Sequence, residues 1–187
     1  MENQKIIRIE KVTLNIGVGE PGDKLEKAMR LLEKITGKKP VKTITMKRIP
    51  TWGVRPGLPI ACKVTIRGED AEKLLSRLLE ALDNKLPETK FDNEGNFSFG
   101  IEEYLLIPGV AYDMDIGILG LEVAVTLSRH GYRIKRRMFK RTRLPMRHRI
   151  KKTEAVEFIT KKYNLNIGEE KWLQVHIQKH LHNLIKN

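Results

Sequence analysis

Four groupings of residues have types and spacings that could carry chemistry. Gly17-Val-Gly19-Glu-Pro-Gly22 has the G-x-G-x-x-G spacing between an alternating apolar segment and a helical one, where a dinucleotide's pyrophosphate would meet a helix start. An acid about 20 residues further on should then hold the ribose, yet no acid lies between Glu33 and Glu69. Asp23, directly after the turn, would repel a pyrophosphate, and it stands where a Walker-type loop needs Lys. His176 and His180 are four apart on a helical pattern, with His182 nearby, a spacing that can ligate a metal. Ile177 follows where a zinc protease needs Glu, and the histidines flank an apolar stripe of Leu173, Ile177, Leu181 and Leu184. Asp113 and Asp115 form a carboxylate pair with no nucleophile or third ligand near in sequence, which suits a turn. Cys62 takes an inward position of an alternating segment, so burial is expected. As the sole cysteine it excludes an internal disulfide and a cysteine-based zinc site. No enzyme signature survives, and no metal or cofactor is expected.

Charge is the stronger signal. The chain has 187 residues, with 36 Lys+Arg against 23 Asp+Glu and a net charge of +13. Residues 34–68 contain no acid and nine bases; residues 123–153 contain no acid and twelve. The second window includes the run Arg133-Ile-Lys-Arg-Arg-Met-Phe-Lys-Arg-Thr-Arg143, which puts Arg136, Arg137, Lys140 and Arg141 on a basic arm spanning about 129–152. One such run is as readily a solvated face. Two long acid-free windows favour a polyanion, because excluding acids removes repulsion from phosphates. Apolar runs are too short for a membrane span, and the amino-terminal residues lack a secretory signal's apolar stretch.

The elements that must position these charges follow from periodicity. Val12, Leu14, Ile16 and Val18 alternate with Lys11, Thr13, Asn15 and Gly17, while Ile7 and Ile9 lie on the other phase, predicting a strand with a bulge or start near Glu10. A helix opens at Pro21 and Asp23, with Asp23 and Glu26 as a capping box and Gly37 as its stop. Its stripe is Leu25, Ala28, Met29, Leu32 and Ile35. Ile44 and Met46 are expected inward on a second strand. Residues 48–59, with Pro50, Gly53, Pro56, Gly57 and Pro59, must be a loop. Ile60, Cys62, Val64 and Ile66 mark a third strand, and residues 69–84 a helix. Residues 97–107 and 121–128 read as strands, 153–163 and 169–186 as helices.

On the first three strands the apolar positions face the helices. The other face then carries Lys11, Thr13, Asn15, Thr43, Thr45, Lys47, Lys63, Thr65 and Arg67, without one carboxylate. Such a face suits phosphate oxygens and ribose hydroxyls. The alternative is a plain solvated sheet face rich in Thr for its strand propensity. Beside the basic arm, RNA is the better reading. In the loop 47–57, Lys47, Arg48 and Arg55 supply charge and Trp52 a stacking surface; an inward Trp52 anchoring the loop to the core is the competing reading.

Several stretches together resemble ribosomal protein five of the large subunit: Leu14-Asn-Ile-Gly-Val-Gly-Glu20, Thr36-Gly-Lys-Lys-Pro40, Pro59-Ile-Ala-Cys-Lys-Val-Thr-Ile-Arg-Gly68 and Gly95-Asn-Phe-Ser-Phe-Gly-Ile101. Tyr112-Asp, Gly117-Ile-Leu-Gly-Leu121 and His148-Arg-Ile150 are similar to its archaeal and eukaryotic branch. The resemblance implies a single α+β domain over residues 1–165, a largely antiparallel sheet with helices on one face and the other open for RNA. It leaves residues 166–187 as a helical tail of open role. It further implies a non-enzymatic component of the large subunit, cytoplasmic and in the ribosome, that binds 5S rRNA and anchors it in the central protuberance. Implied partners are 5S rRNA, large-subunit rRNA, P-site tRNA and other large-subunit proteins. By motif, the RNA contacts match Asn15, Lys38, Thr65 and Arg67, with Lys38 standing where the family often has Gln. The loop 47–57 matches the one that reaches the P-site tRNA. The runner-up reading is an RNA-binding module outside the ribosome, and a third is a nucleotide-dependent oxidoreductase.

Overall fold

Val12, Leu14 and Ile16 all leave one side of the first strand, and in the computed structural model, which describes residues 5–168, their side chains are at most 3% exposed. That strand, β1 (Arg8–Gly17), is the centre of a five-stranded antiparallel sheet. The others are β2 (Val41–Ile44), β3 (Pro59–Ile66), β4 (Phe97–Ile101) and β5 (Leu121–Ser128), in the order β2-β3-β1-β5-β4. Helices α1 (Asp23–Thr36), α2 (Glu69–Glu80) and α3 (Lys152–Tyr163) contribute Leu25, Leu32, Leu75, Leu78, Ala155 and Ile159 to one core. The strands add Val64, Ile66, Phe97, Phe99, Val123 and Val125 to it. The result is the single α+β domain expected, helices against the apolar face of the sheet.

The break of phase near Glu10 is a β-bulge. Ile9 pairs with Leu127 and Lys11 with Thr126, so Glu10 has no partner of its own on β5. A bulge re-aims a side chain, and here Glu10 leaves the hydrophobic phase without breaking the strand.

Several boundaries differ from the local pattern. Asp23 is the first helical residue of α1, Gly22 is the cap, and no side-chain cap bond forms, so the Asp23–Glu26 capping box is absent. Both acids still lie in the first turn, where the helix dipole favours them. Helix α2 stops at Glu80 rather than 84 because Asp83 and Asn84 turn left-handed, and the Asn84 amide folds back to the Leu79 carbonyl at 3.0 Å. Strand β4 ends at Ile101, where its partner begins at Leu121. Beyond it Tyr104 and Ile107 bury with a spacing of three, through a 3-10 turn at Tyr104–Leu106. Short β2 lies at the sheet edge, and Ile44 and Met46 are 58% and 88% exposed, not inward as alternation implies.

The basic arm packs onto the domain. Residues 129–152 are folded down, with 3-10 turns at Tyr132–Lys135 and Met146–His148. The Tyr132 hydroxyl accepts from the Ile150 amide at 2.9 Å, and His148 Nε2 lies 2.8 Å from the His130 carbonyl. Arg129 is buried, donating Nη1 to the His148 and Arg149 carbonyls and pairing Nη2 with Glu154 at 3.0 Å. His176, His180, His182 and most of the expected tail lie outside the described residues. No described helix is long and apolar enough to cross a membrane.

Candidate nucleic-acid interface

Pairing places the predicted contacts in rows. On the open face Asn15 stands opposite Lys63 and Thr13 opposite Thr65, with Lys63 and Thr65 exposed and Thr13 and Asn15 half-buried. Arg67 follows at the end of β3 on the same phase. Hydroxyls, an amide and two cations thus share one surface between rigid strands, the arrangement that phosphate and ribose recognition requires.

The face is not free of carboxylates. Strand β5 pairs with the other flank of β1 and sets Glu122 opposite Asn15. Asn15 Nδ2 donates to Glu122 Oε2 at 3.3 Å. Bulged Glu10 receives Arg67 Nη1 at 3.4 Å and both terminal nitrogens of Arg136, which the arm leaving the end of β5 brings to it. Arg136 bonding, opposed by burial and reinforced by Arg67, holds the Glu10 carboxyl below its ordinary 4.5. Lys38 pairs with Asp70, in the first turn of α2, at 2.9 Å. Of the four motif positions only Thr65 has no carboxylate partner among the described residues. Lys38 and Asp70 are open to solvent and Arg67 is exposed at its end of the pair, so each cation can exchange its carboxylate for a phosphate, while Glu10 itself stays largely covered.

At the arm's tip Arg137, Lys140 and Arg141 are exposed, and Arg137 Nε donates to the Lys140 carbonyl at 2.8 Å. Met138 and Phe139 between them are 88% and 78% exposed. These two escaped the sequence reading; the signal was an apolar pair inside a basic run.

The loop 47–57 is closed by its own hydrogen bonds. The Ile49 amide donates to the Val54 carbonyl at 2.9 Å and the Val54 amide returns to Ile49 at 3.1 Å. Val54, 5% exposed, roots it, and a 3-10 turn at Pro50–Trp52 presents Trp52 with 74% of its surface in solvent. Trp52 is therefore no anchor to the core. Lys47, Arg48 and Arg55 are exposed and have no ion pair among the described residues.

The glycine turn, the aspartate pair and Cys62 are structural. The amides of Val18 and Gly19 both donate to the Ile60 carbonyl at 2.9 Å, so the glycine turn spends on strand β3 the donors a pyrophosphate would need. Asp113 caps its own turn through the Asp115 amide and takes Lys34 Nζ at 3.1 Å. Cys62 is buried with its thiol pushed up to about 11, leaving it protonated and inert. Among the described residues no group of three or more His, Cys, Asp or Glu could hold a metal ion.

A basic α+β domain whose open sheet face carries amide, hydroxyl and cationic groups has the features of a nucleic-acid-binding module. Residues 3–55 match the family described as Ribosomal protein L5, and residues 59–158 match the model of that ribosomal family's C-terminus. The chain is 50% identical over 164 residues to the large ribosomal subunit protein uL5 of Sulfurisphaera tokodaii, covering 87% of this chain and 93% of the relative. It is 52% identical to that of Nanoarchaeum equitans, with 86% and 95% covered, and 47% identical to that of Methanosphaera stadtmanae, with 85% and 95% covered. The chain belongs to the ribosomal protein L5 family, whose members are ribosomal structural proteins and not enzymes.

Proposed function

We propose that this protein binds 5S rRNA through the open sheet face, anchors it in the central protuberance, and reaches the P-site tRNA with the loop 47–57. Family membership makes it a component of the large ribosomal subunit, with rRNA and other ribosomal proteins as its partners and the ribosome as its place. The finer reading is carried by one observation: Asn15, Thr65 and Arg67 share the open face, in register with Thr13 and Lys63. Lys38, where the family often has Gln, adds a phosphate contact once Asp70 releases it. Arg136, Arg137, Lys140 and Arg141 supply sequence-independent attraction, and residues 1–165 act as the RNA-binding domain.

The test is 5S rRNA binding by Arg67→Ala. Loss of a charged hydrogen bond should weaken the complex by about 1.5–3 kcal/mol. Ile66→Ala, on the opposite face of the same strand, should instead lower stability by roughly 2–5 kcal/mol. An Arg67→Ala protein that binds 5S rRNA like the parent would show that RNA uses another surface. The affinity should also fall steeply with salt, with a log–log slope of about −0.9 for each duplex phosphate neutralised.

A further inference from the structure

Between the folded arm and the β4–β5 side of the sheet lies an open cavity of about 230 Å³. Its lining includes Asn96, Thr126, Tyr132, Lys135, Arg136, Arg143 and Arg149, and among the described residues Glu94 is its sole carboxylate. Glu94 is shared: Lys135 Nζ lies 3.1 Å and Arg149 Nη1 3.9 Å from its two oxygens. Arg136 is committed to Glu10. Arg143 is exposed and has no hydrogen-bond or ion-pair partner among the described residues. Three cations thus share a cleft with one acid, an excess of positive charge in a concave place, and concavity focuses the field.

We infer that this cleft is a second anion site, which takes a backbone phosphate of the RNA held by the sheet face, with Arg143, Lys135 and Arg149 as its ligands. The inference rests on the RNA reading above and extends it to residues that no motif marks. The cleft is smaller than a pocket for a drug-sized ligand, but it suits a phosphodiester with its sugar, for which Asn96 and Thr126 offer polar atoms. The Tyr132 hydroxyl and the buried Arg129 pin the arm and Glu94 holds Lys135 and Arg149, so of the three ligands only the Arg143 side chain has to be ordered on binding. Glu94 is the internal anion of the free protein. When phosphate enters, Lys135 and Arg149 exchange Glu94 for it, and Arg143 gains its first partner. Glu94 then repels the RNA, so its charge should oppose binding rather than support it.

The experiment measures binding of the full chain to 5S rRNA, to an unrelated A-form RNA hairpin and to inorganic pyrophosphate, across a salt series. Arg143→Ala should lose roughly ten- to a hundredfold in 5S rRNA affinity and reduce the salt slope by about 0.9. Glu94→Gln should gain affinity several-fold, the direction opposite to that of a residue that merely holds the arm in place. Unchanged affinity and slope in Arg143→Ala, or weaker binding by Glu94→Gln, overturns the site. Tight pyrophosphate binding that needs Arg143, with RNA affinity indifferent to it, overturns RNA as the source of the phosphate. If the parent protein does not prefer 5S rRNA to the hairpin, the sheet-face reading has failed. The cleft is still decided by whether Arg143→Ala weakens the hairpin complex, because a backbone contact is blind to sequence.

Discussion

The loop 47–57 and the basic arm both come from acid-free, base-rich windows of the sequence, and they have opposite fates in the fold. In the loop 47–57, Lys47, Arg48 and Arg55 stay unpaired among the described residues and Trp52 stands in solvent. In the arm, Arg129 pairs with Glu154, Lys135 and Arg149 with Glu94, and Arg136 with Glu10. The acids come from β1, from the turn before β4 and from α3, outside the window that supplies the bases. Local absence of acids therefore does not make a surface acid-free. What decides it is whether the segment projects, as the loop does, or lies down on a domain that carries the acids, as the arm does.

The contrast can be broken most forcefully at Gly95, beneath the arm. At φ +80 a side chain is already strained, and a Cβ there would stand 2.6 Å from Ile150 Cγ2. Gly95→Ala should cost roughly 2–4 kcal/mol in urea unfolding; a loss below about 0.5 kcal/mol, the range of a neutral surface change, would mean that the arm's root is loosely packed. Arg129→Ala comes next. It strands the partly exposed Glu154 and two carbonyls, for a loss of about 2–3 kcal/mol, whereas Arg48→Ala in the loop should stay within about 0.5 kcal/mol. Equal effects at the two arginines would erase the distinction between the loop and the arm.

Acid should separate the regions more gently. Glu10 is held low chiefly by Arg136, and Glu154 chiefly by the Lys151 amide and then by Arg129, both below 4.5. Their lowered folded-state values make the stabilisation complete above pH 4.5 and progressively lost as pH falls through those values. Protection of amides across 129–150, taken against their intrinsic exchange rates, should therefore fall below pH 4.5 while that of 47–57, which has no carboxylate, is unchanged. An arm that stays protected in acid would show that its ion pairs are incidental. The smallest effect on folding belongs to Trp52→Ala, within about 0.5 kcal/mol of the parent. The same change should weaken tRNA occupancy of reconstituted ribosomes by about 1–3 kcal/mol of lost stacking and leave 5S rRNA affinity alone. Loss of 5S rRNA binding instead would assign the loop to the other RNA.

Alternation, with its period of two, determined by itself which side chains of β1, β3 and β5 are buried, and the phase slip before Val12 announced the bulge at Glu10. Helical stripes and the glycine after Thr36 set α1, and four ordered motifs carried the family. These are local signals, each written within a few residues. Tertiary structure decided the rest, because neighbours across a sheet are chosen by topology and not by sequence distance. β5 lies beside β1, which brings Glu122 to Asn15 across 107 residues. The arm folds back from the end of β5, which brings Arg136 to Glu10 across 126. At the uncovered edge the pattern of β2 had no core to obey, so Ile44 and Met46 face water. Residue types named the chemistry, but only the packing of distant elements decided which cations are free and which already hold an anion.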